Sequence, residues 1–158
     1  MSRREQIQMT EDEVLAFLGE ERVVVCATNG RDGFPHLMPL WYVVRDGELW
    51  ALTFAKSQKV KNLERDARAT LQVEAGETYD QLRGVMLKTE VERVRDTARV
   101  ADLGLEIFRR YTPPDGGGEL GEEVRAMVLK QAEKRVAMRF AERDRATWDH
   151  RKLATGVY

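Results

Sequence analysis

Lys56, Ser57, Lys59 and Lys61 crowd the start of the segment Ala55-Lys56-Ser57-Gln58-Lys59-Val60-Lys61-Asn62-Leu63, which reads as the opening of a helix capped by Ser57. A helix N-terminus carries partial positive charge, so cations there cost up to ~1 kcal/mol unless an anion sits with them. Free backbone N–H groups, the Ser57 hydroxyl and the lysines together make a receptor for a phosphate. The other reading is that the lysines splay into water and salt screens the cost. A second stretch, Pro35-His36-Leu37-Met38-Pro39-Leu40-Trp41-Tyr42, carries two prolines that cannot donate to a strand ladder, leaving backbone groups that a flat heterocycle could use. Trp41, Tyr42 and Trp50 also read as ordinary core aromatics. His36 lacks metal-ligand spacing to His150 and reads as a hydrogen-bonded structural histidine. The third stretch, Thr147 to Leu153, is either a solvated terminus or, with Trp148, His150 and Arg151 together, a means to stack on and hydrogen-bond to a ligand.

Several constellations are missing. Gly116-Gly117-Gly118 lacks the preceding strand of a dinucleotide fold, there is no Walker lysine motif, and two histidines with one cysteine cannot assemble an ordinary zinc site. Few groups suit acid–base or nucleophilic chemistry, so a reaction would come from a bound cofactor.

The elements that must position these residues follow from spacing. Thr10 and Glu13 form a capping box ahead of a helical stripe of Val14, Leu15 and Leu18. Arg22 to Thr28 is a buried strand closed by Asn29-Gly30 and Asp32-Gly33, with Pro35 to Arg45 as its edge partner. Asp46-Gly47 turns the chain into a strand over Glu48 to Ala55. A helix over Ser57 to Arg65 leads to a strand at Ala69 to Glu74 and a long one at Gly84 to Val94. Two helices follow, carrying Val100 to Tyr111 and Leu120 to Val128. The loop from Pro113 to Gly118 between them reads as a flexible connection or a lid. A sixth strand at Val136 to Ala141 precedes the polar tail. Six mostly antiparallel strands without βα alternation predict a mainly β (α+β) fold, a small closed or half-open barrel with peripheral helices.

Composition narrows the partners. The 158 residues carry 26 Lys and Arg against 27 Asp and Glu, with 42% hydrophobic residues. That length predicts one domain over residues 1–158 with one core. The near-zero net charge argues against a broad nucleic-acid or membrane surface, so an anion site must be local. The lone Cys26 excludes an intramolecular disulfide and reads as a small buried hydrophobe. No apolar run approaches the ~20 residues of a membrane span and the N-terminus is polar, so a cytoplasmic location is expected.

Taken in order, the capped helix, Val23-Val24-Val25-Cys26-Ala27-Thr28, Gly33-Phe34-Pro35-His36, Pro39-Leu40-Trp41-Tyr42, the lysine segment, Tyr79-Asp80-Gln81-Leu82-Arg83-Gly84-Val85 and Trp148-Asp149-His150-Arg151-Lys152-Leu153 resemble the pyridoxamine 5'-phosphate oxidase-like split β-barrel family. The resemblance covers nearly the whole chain and is nearest the actinobacterial branch of flavin- and deazaflavin (coenzyme F420)-dependent oxidoreductases. It implies a six-stranded antiparallel split β-barrel of the FMN-binding type, and a homodimer whose two sites are each built from both chains. It places Lys56, Ser57, Lys59 and Lys61 at a cofactor phosphate. Pro39, Leu40, Trp41, Thr53 and Phe54 then line the tricyclic ring, and Trp148, His150 and Arg151 of the second chain cover the site. The implied activity is hydride transfer between F420 and a small unsaturated or oxidised organic substrate. FMN is the alternative cofactor, and non-catalytic binding of a flavin, haem or tetrapyrrole the alternative activity. No residue reads as a catalytic acid; a proton would come from water, Tyr79 or His150. Pyridoxamine phosphate oxidation itself is not implied, because the arginine-containing ending of the vitamin B6 phosphate oxidases is absent.

Overall fold

Apolar residues at every second position build a sheet with one sealed face. The computed structural model describes residues 1–153. Its strands are β1 (Val24–Asn29), β2 (Pro35–Leu40), β3 (Val43–Arg45), β4 (Glu48–Phe54), β5 (Arg68–Ala75), β6 (Arg83–Val94) and β7 (Arg135–Asp149). They form one sheet in the order β2-β1-β5-β6-β7-β4-β3 with every pair antiparallel. The two edge strands, β2 and β3, are consecutive in the chain and joined only by Trp41 and Tyr42. Three Cα–Cα steps span at most about 11 Å, so the edges must approach and the sheet must curl into a barrel split at that link.

Among the described residues the strand count is seven, not the expected six. Pro35 to Arg45 breaks in two because Tyr42 turns inward, fully buried, and its hydroxyl donates to the Leu18 and Glu21 carbonyls at 2.7 and 3.0 Å. Asp46 and Gly47 both take positive φ (52° and 76°), the geometry of a tight hairpin turn. The last strand is longer than its apolar part. Glu142 to Asp149 continues the ladder, with Arg143 bonded to Glu90 across the sheet and a register shift opposite Lys88 and Thr89.

The helices are α1 (Arg3–Gln6), α2 (Glu11–Glu20), α3 (Gln58–Arg65), α4 (Thr97–Tyr111) and α5 (Glu122–Ala132). Thr10 closes its capping box with Glu13, and Ser2 forms a second one with Glu5. Val14, Phe17 and Leu18 of α2 join Cys26, Leu71, Leu87, Met138 and Phe140 in the barrel core. Each such side chain contributes roughly 1.5–3 kcal/mol on burial. On the outer face of β4 a second cluster forms from Val100, Leu103 and Ile107 of α4 with Val43, Ala132 and Ala137. Gly104 of α4 has no room for a side chain: a Cβ would lie 2.9 Å from Val128 Cγ1 and 3.4 Å from Leu52 Cδ1.

Gly84 carries a sharper constraint. It stands opposite Trp148 in the β6–β7 ladder, and a Cβ there would lie 2.2 Å from the indole ring. Gly84→Ala is expected to displace Trp148 and destabilise the fold by about 2–3 kcal/mol, read by urea unfolding together with a red-shifted tryptophan emission. An unchanged midpoint would show that the ring moves aside freely.

Candidate functional site

The junction between β4 and α3 assembles the polar half of the site. Ser57 is the N-cap of α3, its hydroxyl accepting from the Val60 N–H at 3.4 Å. Lys59 sits in the first turn but points inward and is only 4% exposed. Its Nζ donates to Thr53 Oγ1 at 3.1 Å, and Thr53 Oγ1 lies 3.4 Å from Ser57 Oγ. Lys59 forms no ion pair with any carboxylate among the described residues. Burial pushes its ammonium below the ordinary value, and the same burial pushes the neighbouring Cys26 thiol up to about 11. A desolvated cation whose protein partner is a hydroxyl is strongly receptive to an anion. Lys56 and Lys61 are exposed. Asn62, one turn on, donates to Thr28 Oγ1 at 3.0 Å and fixes the helix against β1.

A mainly apolar cavity of about 570 Å³, within the roughly 300–1,000 Å³ of small-molecule sites, lies on the outer face of β4 under α4 and α5. It is lined by Pro39, Leu40 and Trp41, by Leu52 of β4 and by residues of α4 and α5 such as Phe108 and Met127. Leu52 faces this cavity, whereas Thr53, next on β4, faces the barrel interior with Lys59, so the strand separates the cavity from the lysine. Trp41 is 52% exposed and stacks on Tyr111, ring centroids 4.5 Å apart and planes within 10°. Phe54 is exposed on one side and lies 4.5 Å beneath the Arg135 guanidinium.

The link that carries Trp41 is held from behind. Tyr111 Oη accepts from the Tyr42 N–H at 3.0 Å, and Arg110 donates to the Tyr42 carbonyl as well as to Leu18, Gly19 and Glu21 carbonyls at the end of α2. Neither residue was legible as part of a site, because their partners lie about 70 to 90 residues away in the sequence. His36 faces the same side of the sheet as Thr28, its pair in β1, and its buried Nδ1 has no partner among the described residues, against the hydrogen bond expected of it.

The C-terminal segment does not join this group within one chain. Trp148 packs over Gly84 as the penultimate residue of β7. Arg151 grips the buried Asp149 carboxylate at 2.7 and 2.9 Å, and these hydrogen bonds hold that carboxyl below its ordinary pKa. Lys152 bonds Glu13 and the Gln8 carbonyl. His150 Nδ1 is 2.8 Å from the Tyr79 carbonyl, which can only accept, so Nδ1 donates to it. Phe54 pairs with Arg135 at the start of β7, whereas Trp148 lies near its end, roughly 40 Å further along the strand.

Among the described residues no cluster of three or more His, Cys, Asp or Glu could hold a metal, and no helix is long and apolar enough to cross a membrane.

A search of curated proteins finds no match. Among solved structures, a conserved hypothetical protein from Mycobacterium tuberculosis is 39% identical over 99% of this chain and 98% of its own, with a TM-score of 0.86. Two more distant structures share the fold. One is an F420 reductase, 19% identical over 83% of this chain and 94% of its own, TM-score 0.63. The other is the haem storage protein HutZ of Vibrio cholerae, 16% identical over 90% and 95%, TM-score 0.65. The family model described as pyridoxamine 5'-phosphate oxidase matches residues 10–143, and with its curled antiparallel sheet and flanking helices the chain belongs to that split-barrel family.

Proposed function

We propose that the protein is an F420-dependent oxidoreductase acting on a small unsaturated or oxidised organic molecule, with FMN as the alternative cofactor. The observation that carries this reading is Lys59, a buried ammonium with no carboxylate partner among the described residues, set in the first turn of α3 behind the Ser57 N-cap. The likeness in fold to an F420 reductase supports the same reading.

In this assignment Lys59, Ser57 and Lys56 hold the cofactor phosphate, while Pro39, Leu40, Trp41, Thr53 and Phe54 hold the ring. Lys61, exposed on the next turn of α3, is available to the acidic tail that F420 carries. The bound ring supplies the hydride chemistry. The chain supplies charge neutralisation at Lys59, donors at the start of α3, and a water-poor wall at Leu52 and Phe108. The functional unit is a homodimer, in which Trp148, His150 and Arg151 of a second chain cover the site that their own chain places them far from. Exposed Phe34, Leu37 and Met38 on and beside the edge strand β2 give such a contact its apolar surface.

Titration of the purified protein with F420 and with FMN, followed by tryptophan fluorescence, tests the assignment. Saturable binding at micromolar concentration or tighter is expected, together with oxidation of bound reduced F420 by a panel of quinones and enones. Failure of both cofactors to bind would sink the cofactor site. Tight binding without turnover across the panel would instead assign the protein as a carrier.

A further inference from the structure

The apolar cavity contains one charged side chain. Arg135 lines it together with the exposed Gln131, and the other lining side chains are hydrocarbon or aromatic apart from the Trp41 indole N–H. Arg135 is half-buried, its guanidinium seated over the Phe54 ring, and it has no ion pair or hydrogen bond among the described residues. Other partly shielded arginines are not left so. Arg45 holds Glu106 and Asp102, Arg83 holds Glu20, Arg139 holds Glu48 and Glu92, and Arg145 holds Glu142 and Glu11. Desolvation pushes the Arg135 guanidinium below its ordinary pKa, yet an arginine stays charged at neutral pH. Contact with Phe54 fixes the plane of the guanidinium and leaves its N–H groups available.

We propose that the cavity takes the substrate as an organic monoanion with an apolar body, its carboxylate held in a fork by Arg135 and its hydrocarbon or aromatic part against Leu52, Val100, Ile107 and Phe108. One guanidinium matches one negative charge. A dianion would leave a charge uncompensated among apolar walls, and a neutral ligand would leave Arg135 desolvated and unpaired. The two parallel N–H groups of the guanidinium match the two oxygens of a carboxylate. Gln131, exposed at the mouth, is placed to donate to the same group. The inference rests on the redox reading in one respect, that the cavity is the substrate side of the site.

Octanoate and octanamide differ in charge and hardly in size, so they serve as probes. With the full-length protein, followed by tryptophan fluorescence, octanoate is expected to bind at least tenfold more tightly than octanamide. Arg135→Gln removes that preference and leaves octanamide affinity unchanged, and Arg135→Lys restores part of it. Circular dichroism establishes that the variants are folded; if Arg135→Gln is not, the comparison of the two probes on the unaltered protein and on Arg135→Lys decides. Equal affinity for the two probes, no binding of octanoate, or a preference that survives Arg135→Gln overturns the proposal. So does a variant whose only loss is cofactor affinity, since Arg135 would then serve the cofactor's own anion. The cofactor titration is read separately: F420 and FMN that fail to bind while the octanoate preference holds would remove the redox reading and leave the anion site standing.

Discussion

Lys59→Met is expected to make the protein more stable and less able to bind a phosphate. The lysine is buried with a single hydroxyl partner, so the folded chain without ligand bears a desolvated charge that methionine, of similar length, does not. Exchange of uncompensated buried charge for a packed apolar side chain should raise unfolding stability by about 1–3 kcal/mol. Cofactor affinity should fall by roughly 10–100-fold, the loss of one charge-assisted contact worth about 1.5–3 kcal/mol. The pH dependence has a defined sign. Folding lowers the Lys59 pKa from its ordinary 10.5, so the unfolded chain binds more protons and the penalty lessens as pH rises from the folded value toward 10.5. Cys26 acts oppositely, its thiol raised from 9.0 to about 11, so stability it contributes is lost across that range. The readout is therefore the difference between wild type and Lys59→Met in urea unfolding, which should narrow as pH rises. A variant that loses stability yet keeps its cofactor affinity would make Lys59 a packing residue.

Arg110→Met should be the most damaging single change away from the barrel core, costing about 3–4 kcal/mol. The guanidinium donates to three carbonyls at the end of α2, those of Leu18, Gly19 and Glu21, at 3.1, 3.2 and 2.7 Å, and to Tyr42 on the link between the edge strands. A cation at a helix C-terminus is also favoured by the macrodipole. Each bond to a charged donor is worth about 1.5–3 kcal/mol, but these share one side chain and do not add. The guanidinium also sits over the Tyr42 ring, 4.6 Å from its centroid, so the loss reports the fork and this cation–π contact together. Arg110→Lys should recover less than half, since an ammonium cannot reach all four oxygens at once. Urea unfolding measures both, and a cost under about 1 kcal/mol for Arg110→Met would show that water replaces the fork.

Most of the sheet was readable because its signals are local. Val24, Cys26 and Thr28 alternate inward, Asn29-Gly30 and Asp46-Gly47 announce turns, and Ser57 and Thr10 cap the helices the sequence assigns to them. The exceptions depend on distant partners. Nothing near Tyr42 says that its hydroxyl will reach α2 and divide a strand in two. The polar run Glu142 to Arg145 looks like a tail until Glu90 and Glu11 are seen opposite it. The site divides the same way. The Ser57 cap follows from helix-start chemistry, whereas the inward turn of Lys59 onto Thr53 depends on a partner in another element. Arg135 was invisible, because what singles it out is the lack of a partner that only the folded chain reveals.

The position of β7 governs when this barrel can exist during synthesis. It follows every other described strand in sequence but lies between β6 and β4 in the sheet. Until residues 135 to 149 leave the ribosome, two sheet fragments, β2-β1-β5-β6 and β4-β3, present the unpaired edges of β6 and β4 with no strand to pair both. Arg135 and the ladder beside Leu52 arrive with that same strand, so the ligand cavity is completed by the act that closes the sheet. A nascent chain held short of this point is a pair of sticky half-sheets, dependent on rapid completion or a chaperone to avoid pairing with its neighbours.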